Sequence, residues 1–150
     1  FPRPMLNRPG FAFSFSGLKT HTMMAWNKSK QTEQDKMAIA KAFQTAVVET
    51  LSTKAMRAVE LTTHRHLVVA GGVGANRALR ATLTQQIQAA GGEIYFPRLA
   101  YCTDNGAMVA YAGCLHLMQG ARDVSHAIEV HARLPLPSSD LLGTLIPPAG

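Results

Sequence analysis

"HLVVAGGVGANRALRATLTQQIQAAGGEIYF", residues 66–96, decides the fold. It opens on "HLVVA" (66–70), a β-branched run of the kind buried in a parallel sheet. A glycine-rich turn follows, and then Leu79, Leu83 and Ile87 recur at a spacing that lays them along one helix face, closed by Gly91 and Gly92. "EIYF" (93–96) supplies the next strand. Strand, helix, strand implies a parallel α/β layer, because parallel neighbours need a crossover connection and a helix is the usual one.

The reading extends outward from this unit. Downstream, Pro97 and Arg98 open a loop, and "YCTDNGAMVAYAG" (101–113) passes into a further helix predicted from Asn105 to about Met118. "SHAIEVHARL" (125–134) reads as a final strand, and "PLPSSDLLGTLIPPAG" has the composition of a loose tail. Upstream, Thr32 with Asp35 three residues on resembles a capping box. Met37, Ala40, Phe43, Val47, Leu51, Ala55 and Val59 then recur at helical spacing to about Leu61. "LKTHTMMAWN" (18–27) suits a short helix, and "KSKQTEQ" a polar linker. Phe11, Phe13 and Phe15 alternate with Ala12, Ser14 and Ser16, which predicts a strand with one aromatic face, ended by Gly17. No internal repeat is present.

A chain of 150 residues that is 47% hydrophobic can bury one substantial core. Fifteen Lys and Arg against nine Asp and Glu leave a formal charge of +6, and residues 1–32 carry Arg3, Arg8, Lys19, Lys28 and Lys30 without one acid. Such a balance suits contact with an anion such as nucleic acid or phosphate, and equally a solvated basic face. Cys102 and Cys114 form neither a disulfide framework nor a Cys-x-x-Cys pair, as fits a reducing cytosol. No apolar run is long enough to span a bilayer. The opening "FPRPMLNRPG" lacks the order of a signal peptide and reads as the middle of a connection, so a longer chain is expected.

Two turns could carry chemistry. Gly71-Gly72-Val73-Gly74-Ala75-Asn76 lies between a strand and a helix, where glycines admit a ligand to the backbone and the first helical amides carry partial positive charge. It is neither a Walker loop nor Gly-x-Gly-x-x-Gly. Asn76 could meet a ribose or base, or could simply cap the helix. Asp104 occupies the same place in the next strand–helix unit, so both turns should lie along the rim where open α/β sheets collect ligands, although Asp104 or Thr103 could also be no more than a helix cap. Gly106, Ala107, Ala110, Ala112 and Gly113 form a small-residue face suited to close packing or to close approach of a ligand. Ser14, Ser16, Gly17 and Lys19 make a polar turn without the spacing of a Ser/Lys nucleophile or a Gly-x-Ser-x-Gly elbow. The six histidines, His21, His64, His66, His116, His126 and His131, include no pair four apart, and His64 with His66 fits the wet edge of a strand better than a metal site.

"FSFSGLKT" (13–20), "LVVAGGVGANRALR" (67–80) and "CTDNGAMVAYAG" (102–113), in this order and spacing, resemble the tRNA N6-adenosine threonylcarbamoyltransferase family (TsaD, formerly O-sialoglycoprotein endopeptidase or glycoprotease). The resemblance runs from Phe1 to about Pro137 and covers the C-terminal part of a typical member, somewhat under half. It implies an actin-like (sugar kinase and Hsp70) ATPase fold, with residues 1–137 a parallel-sheet C-terminal lobe packed with helices and residues 138–150 a loose tail. It further implies that Asn76 contacts ATP or threonylcarbamoyl-AMP, that Gly71 and Gly72 form the adenosine-side loop, and that Asp104 binds a divalent metal, iron or zinc. The remaining ligands would be a His-x-x-x-His pair in an N-terminal lobe outside this chain, and no catalytic residue is assigned within it.

The implied reaction moves threonylcarbamoyl from its adenylate to N6 of the adenosine next to the anticodon in tRNAs that read codons starting with A. The implied partners are tRNA, a related actin-like subunit and an accessory ATPase in a bacterial complex, in the cytoplasm and away from membranes, with homodimerisation of the fragment possible. The isolated chain is expected to be inactive. Gly74 departs from the family's usual Ser or other small residue, and His131 lies in a segment often richer in Arg. Two other readings remain: a stand-alone nucleotide-binding or dimerisation module of the same fold without catalysis, and a metalloprotease, against which the absence of His-Glu-x-x-His speaks.

Overall fold

The computed structural model describes residues 1–62, 64–122 and 130. The chain divides into two compact units, Phe1–Ala110 and Tyr111–Gly150. The first contains α1 (Ser16–Lys28), α2 (Glu33–Thr62), β1 (His66–Val68), α3 (Arg77–Ala89) and β2 (Glu93–Tyr95); α4 (Gly106–Met118) begins in the first unit and ends in the second. The expected strand at 125–134 (Val130 apart), the boundary at 137/138, the tail, His126 and His131 lie outside the described residues.

The capping box forms as its spacing requires. Thr32 Oγ1 accepts from the Asp35 amide at 3.1 Å, and Asp35 Oδ2 accepts from the Thr32 amide at 3.1 Å. It starts a helix of 30 residues. The apolar stripe expected along α2 is only part of what that helix buries: Met37 is 65% exposed, whereas Ala46, Val48, Thr50, Ser52 and Lys54 are buried. Both α1 and α3 pack on α2, so several of its faces meet neighbours and one 3.6-residue stripe understates the contact. Thr50 resolves its buried hydroxyl by donating to Ala46 O at 2.7 Å.

Lys54 and its neighbour Arg57 hold the first residues of the chain against α2. Lys54 Nζ donates to Arg8 O at 2.9 Å and Gly10 O at 3.0 Å, and the Arg57 guanidinium donates to Arg8 O at 2.9 Å and Leu6 O at 3.2 Å. Burial, and secondarily the charge of Arg57, pushes the Lys54 pKa below its ordinary value. Arg3 donates to Glu49 Oε2 at 2.6 and 2.8 Å, which neutralises part of the basic opening segment.

The Phe11–Phe15 stretch is not a strand: residues 12–15 have no ladder partner, and Ser16 already begins α1. The polar turn expected at Ser14–Lys19 is accordingly the entry and first turn of that helix. Period-two alternation forms a strand only when a neighbour supplies hydrogen bonds, and β1 pairs only with β2 among the described residues. The three aromatic rings instead border an apolar cavity of about 460 Å³ together with Leu67, Val69 and Leu79.

The β1–β2 pair is parallel, with His66 opposite Glu93, Leu67 opposite Ile94 and Val68 opposite Tyr95. Leu67 and Ile94 pack on a core of Val48, Leu79 and Leu83. Val68, on the other face, is 71% exposed, so the strand expected to be buried throughout is covered on one side only. His66 lies exposed beside Glu93 and Tyr95, the wet edge that its sequence position suggested.

Leu79, Leu83 and Ile87 are all buried, as their spacing predicts. The helix closes in a Schellman motif: Gly91 takes φ +72°, its amide donates to Gln88 O, and the Gly92 amide donates to Ile87 O at 2.9 Å. At Gly92 a Cβ would lie 2.6 Å from Arg65 O, the carbonyl that accepts from the Glu93 amide at 2.7 Å and so starts the strand pairing. Gly74 has room instead, since its added Cβ would meet Val69 at 3.6 Å. Gly92→Ala is therefore expected to lower stability in urea unfolding by about 1–3 kcal/mol through overpacking. Gly74→Ala should fall within about 0.5 kcal/mol of the parent.

Candidate functional site

The carboxyl end of β1 leads through Val69 and Ala70 into the glycine turn. Gly71 has φ +85°, a conformation that side-chain-bearing residues rarely adopt. A short 3₁₀ turn over Gly72–Ala75 then lifts the chain onto α3. Asn76 caps that helix: its Oδ1 accepts from the Leu79 amide at 3.1 Å. The capping alternative for Asn76 is thus realised, and it uses only the side-chain carbonyl, while the Nδ2 group donates to nothing among the described residues.

The second turn follows β2 in the same way. A 3₁₀ turn, Leu99–Tyr101, brings the chain to buried Cys102 and then to Thr103, Asp104 and Asn105. The cap of α4 is Asn105, whose Oδ1 accepts from the Met108 amide at 3.0 Å and whose Nδ2 donates to Thr103 O at 2.9 Å. The alternative in which Asp104 or Thr103 caps the helix does not hold, because one residue further on is the position from which the side chain reaches the third helical amide. Asp104 is exposed and has no hydrogen-bond or ion-pair partner among the described residues. Of the two uses open to the small-residue face, close packing or close approach of a ligand, the first is not realised: Gly106, Ala107 and Ala110 are exposed and an added Cβ at Gly106 would meet nothing within 4 Å. Close packing in this chain does not demand the glycine there.

The two turns meet, as their place at the ends of neighbouring parallel strands requires. A Cβ added at Gly72 would lie 4.0 Å from Cys102 O. What joins them is a residue to which the spacing argument gave no role. The Arg80 guanidinium donates from Nε to Gly74 O at 2.6 Å, and from Nη2 to Pro97 O at 2.8 Å and Cys102 Sγ at 3.2 Å. It also lies 4.6 Å from the centroid of the Phe96 ring. The signal that could have found it is local. Arg77 and Arg80 put two cations and no acid into the opening turns of α3, where the helix dipole gives them no stabilisation. No carboxylate pairs with Arg80 among the described residues, so its charge is met by carbonyl, thiol and aromatic groups.

The residues present can supply one metal ligand. No group of three or more His, Cys, Asp or Glu suited to a metal occurs among the described residues. The exposed, unpartnered carboxylate of Asp104 fits the role of a single ligand completed from elsewhere. Cys102 and Cys114 are both free thiols, the first buried and the second exposed. No helix among the described residues is long and apolar enough to cross a membrane.

Comparison with known proteins identifies the relatives of this chain. The family model described as "TsaD: tRNA N6-adenosine threonylcarbamoyltransferase" matches residues 1–111, which include both turns and Arg80. A tRNA N6-adenosine threonylcarbamoyltransferase of Legionella pneumophila strain Paris is 59% identical over 136 residues, 91% of this chain and 41% of the relative. Those of strains Corby and Lens are 59% and 58% identical over the same span. The chain therefore covers about two fifths of the length of these curated relatives, as 41% states.

The division of labour between neighbouring residues can be checked by stability alone. Asn105→Ala is expected to cost about 0.5–2 kcal/mol in urea unfolding through loss of the α4 cap. Asp104→Ala should stay within about 0.5 kcal/mol of the parent.

Proposed function

Since this chain belongs to the tRNA N6-adenosine threonylcarbamoyltransferase family, we propose that it forms the C-terminal part of an enzyme that transfers threonylcarbamoyl from threonylcarbamoyl-AMP to N6 of the adenosine next to the anticodon in tRNAs reading codons that start with A. The observation that carries this reading is the junction of the two turns, with Asn76 and Asp104 on the same rim and Asp104 left free because Asn105 does the capping. In the proposed enzyme this part is one lobe of an actin-like two-lobed fold. The other lobe supplies the opposite wall of the cleft and a histidine pair, so the chain alone is inactive.

Each residue then has a defined task. Gly71, at φ +85°, and Gly72 present backbone rather than side chains to the adenosine side of the nucleotide. Asn76 keeps its Nδ2 donor available while its carbonyl is committed to the helix. The amides at the start of α3 and the uncompensated Arg80 charge favour the phosphate of the adenylate, which leaves as AMP. Asp104 would hold a divalent metal, iron or zinc, which when bound would polarise the carbonyl under attack. The positive balance of the chain, +6, favours tRNA as the acceptor. A related actin-like subunit and an accessory ATPase are the proposed partners, in the cytoplasm. The alternative, a stand-alone nucleotide-binding or dimerisation module of the same fold without catalysis, draws on the exposed apolar side chains of Val68, Met108 and Val109.

Two substitutions in the full-length protein test the reading. Asp104→Ala should abolish transfer to tRNA and lower bound metal measured by mass spectrometry, with the circular dichroism unchanged; full activity with normal metal content would remove Asp104 from the site. Asn76→Ala should weaken nucleotide binding in calorimetry more than it weakens metal binding. Equal loss of both would instead confine Asn76 to its capping role, whose loss disorders the rim.

A further inference from the structure

We infer that Arg80 is the positioning residue that sets the spacing between the Gly71–Asn76 turn and the Cys102–Asn105 turn, and so places the nucleotide contacts and Asp104 in one frame. The inference rests on the function proposed above for those two turns. Its basis is that one planar group reaches both: Gly74 O on the first, Cys102 Sγ on the second, and Pro97 O in the segment that leads from β2 into the second. The main chain adds to the fixation, since the Arg80 amide donates to Asn76 O at 3.0 Å. Phe96 covers the face of the guanidinium, leaving it little freedom to leave this position. Neither turn has a strand ladder of its own, because β1 and β2 pair only over His66–Val68 and Glu93–Tyr95. Beyond Tyr95 the pairing continues with one bond, from the Val69 amide to Tyr95 O at 3.0 Å. Past that point the spacing of the turns depends on the side-chain fork.

Lysine cannot substitute for this geometry. An ammonium is a point donor on a flexible stem, without the planar fork that addresses two carbonyls and a sulfur together, and it does not stack flat on Phe96. Methionine keeps the stem and none of the donors.

The test compares Arg80→Lys and Arg80→Met with the parent in the full-length protein, by amide hydrogen exchange and by calorimetric titration with ATP. Amides of residues 71–76 and 98–105 are expected to lose protection together in Arg80→Met and to a lesser degree in Arg80→Lys. ATP affinity should fall by about 10- to 100-fold in Arg80→Met, as misplacement of a site by a remote change does. A simple loss of fold stability would open the helices as well as the two turns, so preserved protection in α2 and α3 is part of the expected result. Should Arg80→Met fail to fold, Arg80→Lys carries the comparison. Increased exchange confined to residues 71–76, or unchanged exchange in both turns, would overturn the inference. If both turns open together while the parent itself binds no ATP, the coupling stands and the nucleotide reading of the rim fails.

Discussion

A guanidinium without a carboxylate partner among the described residues joins the two turns that follow β1 and β2. Arg80 is anchored on α3, whose apolar face of Leu79, Leu83 and Ile87 fixes it on the sheet, and from there it collects acceptors from both strand ends. Hydrogen bonds from a charged donor contribute more than neutral ones, about 1.5–3 kcal/mol each. They also leave the charge uncancelled when the acceptors are carbonyls and a thiol. The same side chain therefore joins the two turns and keeps its own charge unpaired, two properties that a salt bridge at this position would not combine.

The capping residues apportion the remaining polar groups. Both helices that begin on the rim are capped by asparagine, Asn76 on α3 and Asn105 on α4, and each cap commits only its side-chain carbonyl to the helix. Asparagine caps leave an amide donor over. On α4 that donor is spent on Thr103 O, which ties down the residue before Asp104; on α3 it has no acceptor among the described residues. Asp104, relieved of capping, presents a full carboxylate to solvent. The function proposed above gives this rim a ligand with a base, a sugar and a phosphate, facing the Asn76 amide, the Asp104 carboxylate and the helix-start amides.

The elements of the fold that depend on local chemistry were legible in the sequence. The capping box at Thr32 and Asp35, the stripe of α3 and the glycine stop at Gly91 all act within a few residues, and each formed where its spacing put it. What failed to be legible depends on distant neighbours. The Phe11–Phe15 alternation is a strand pattern without a ladder partner, Val68 is a core-type residue on an uncovered face, and α2 is buried from more than one side. At the candidate site, the turns that carry Gly71, Asn76 and Asp104 could be placed from their positions after strands. The choice of Asn105 over Asp104 as the cap could not, because it turns on a one-residue difference in where α4 starts. Arg80 lay within a quoted motif, and only its contacts across the turns gave it a role.

The central claim is that the two turns form a single rim for a nucleotide and a metal. The most direct measurement is an NMR titration of the full-length protein with ATP, first with Mg²⁺ and then with paramagnetic Mn²⁺, following the backbone amides. The account predicts chemical-shift changes centred on Gly71, Gly72 and Asn76, with Mn²⁺ broadening strongest at Thr103–Asn105. Shifts and broadening confined to other surfaces, such as the apolar cavity beside Phe11 and Phe13, would contradict it.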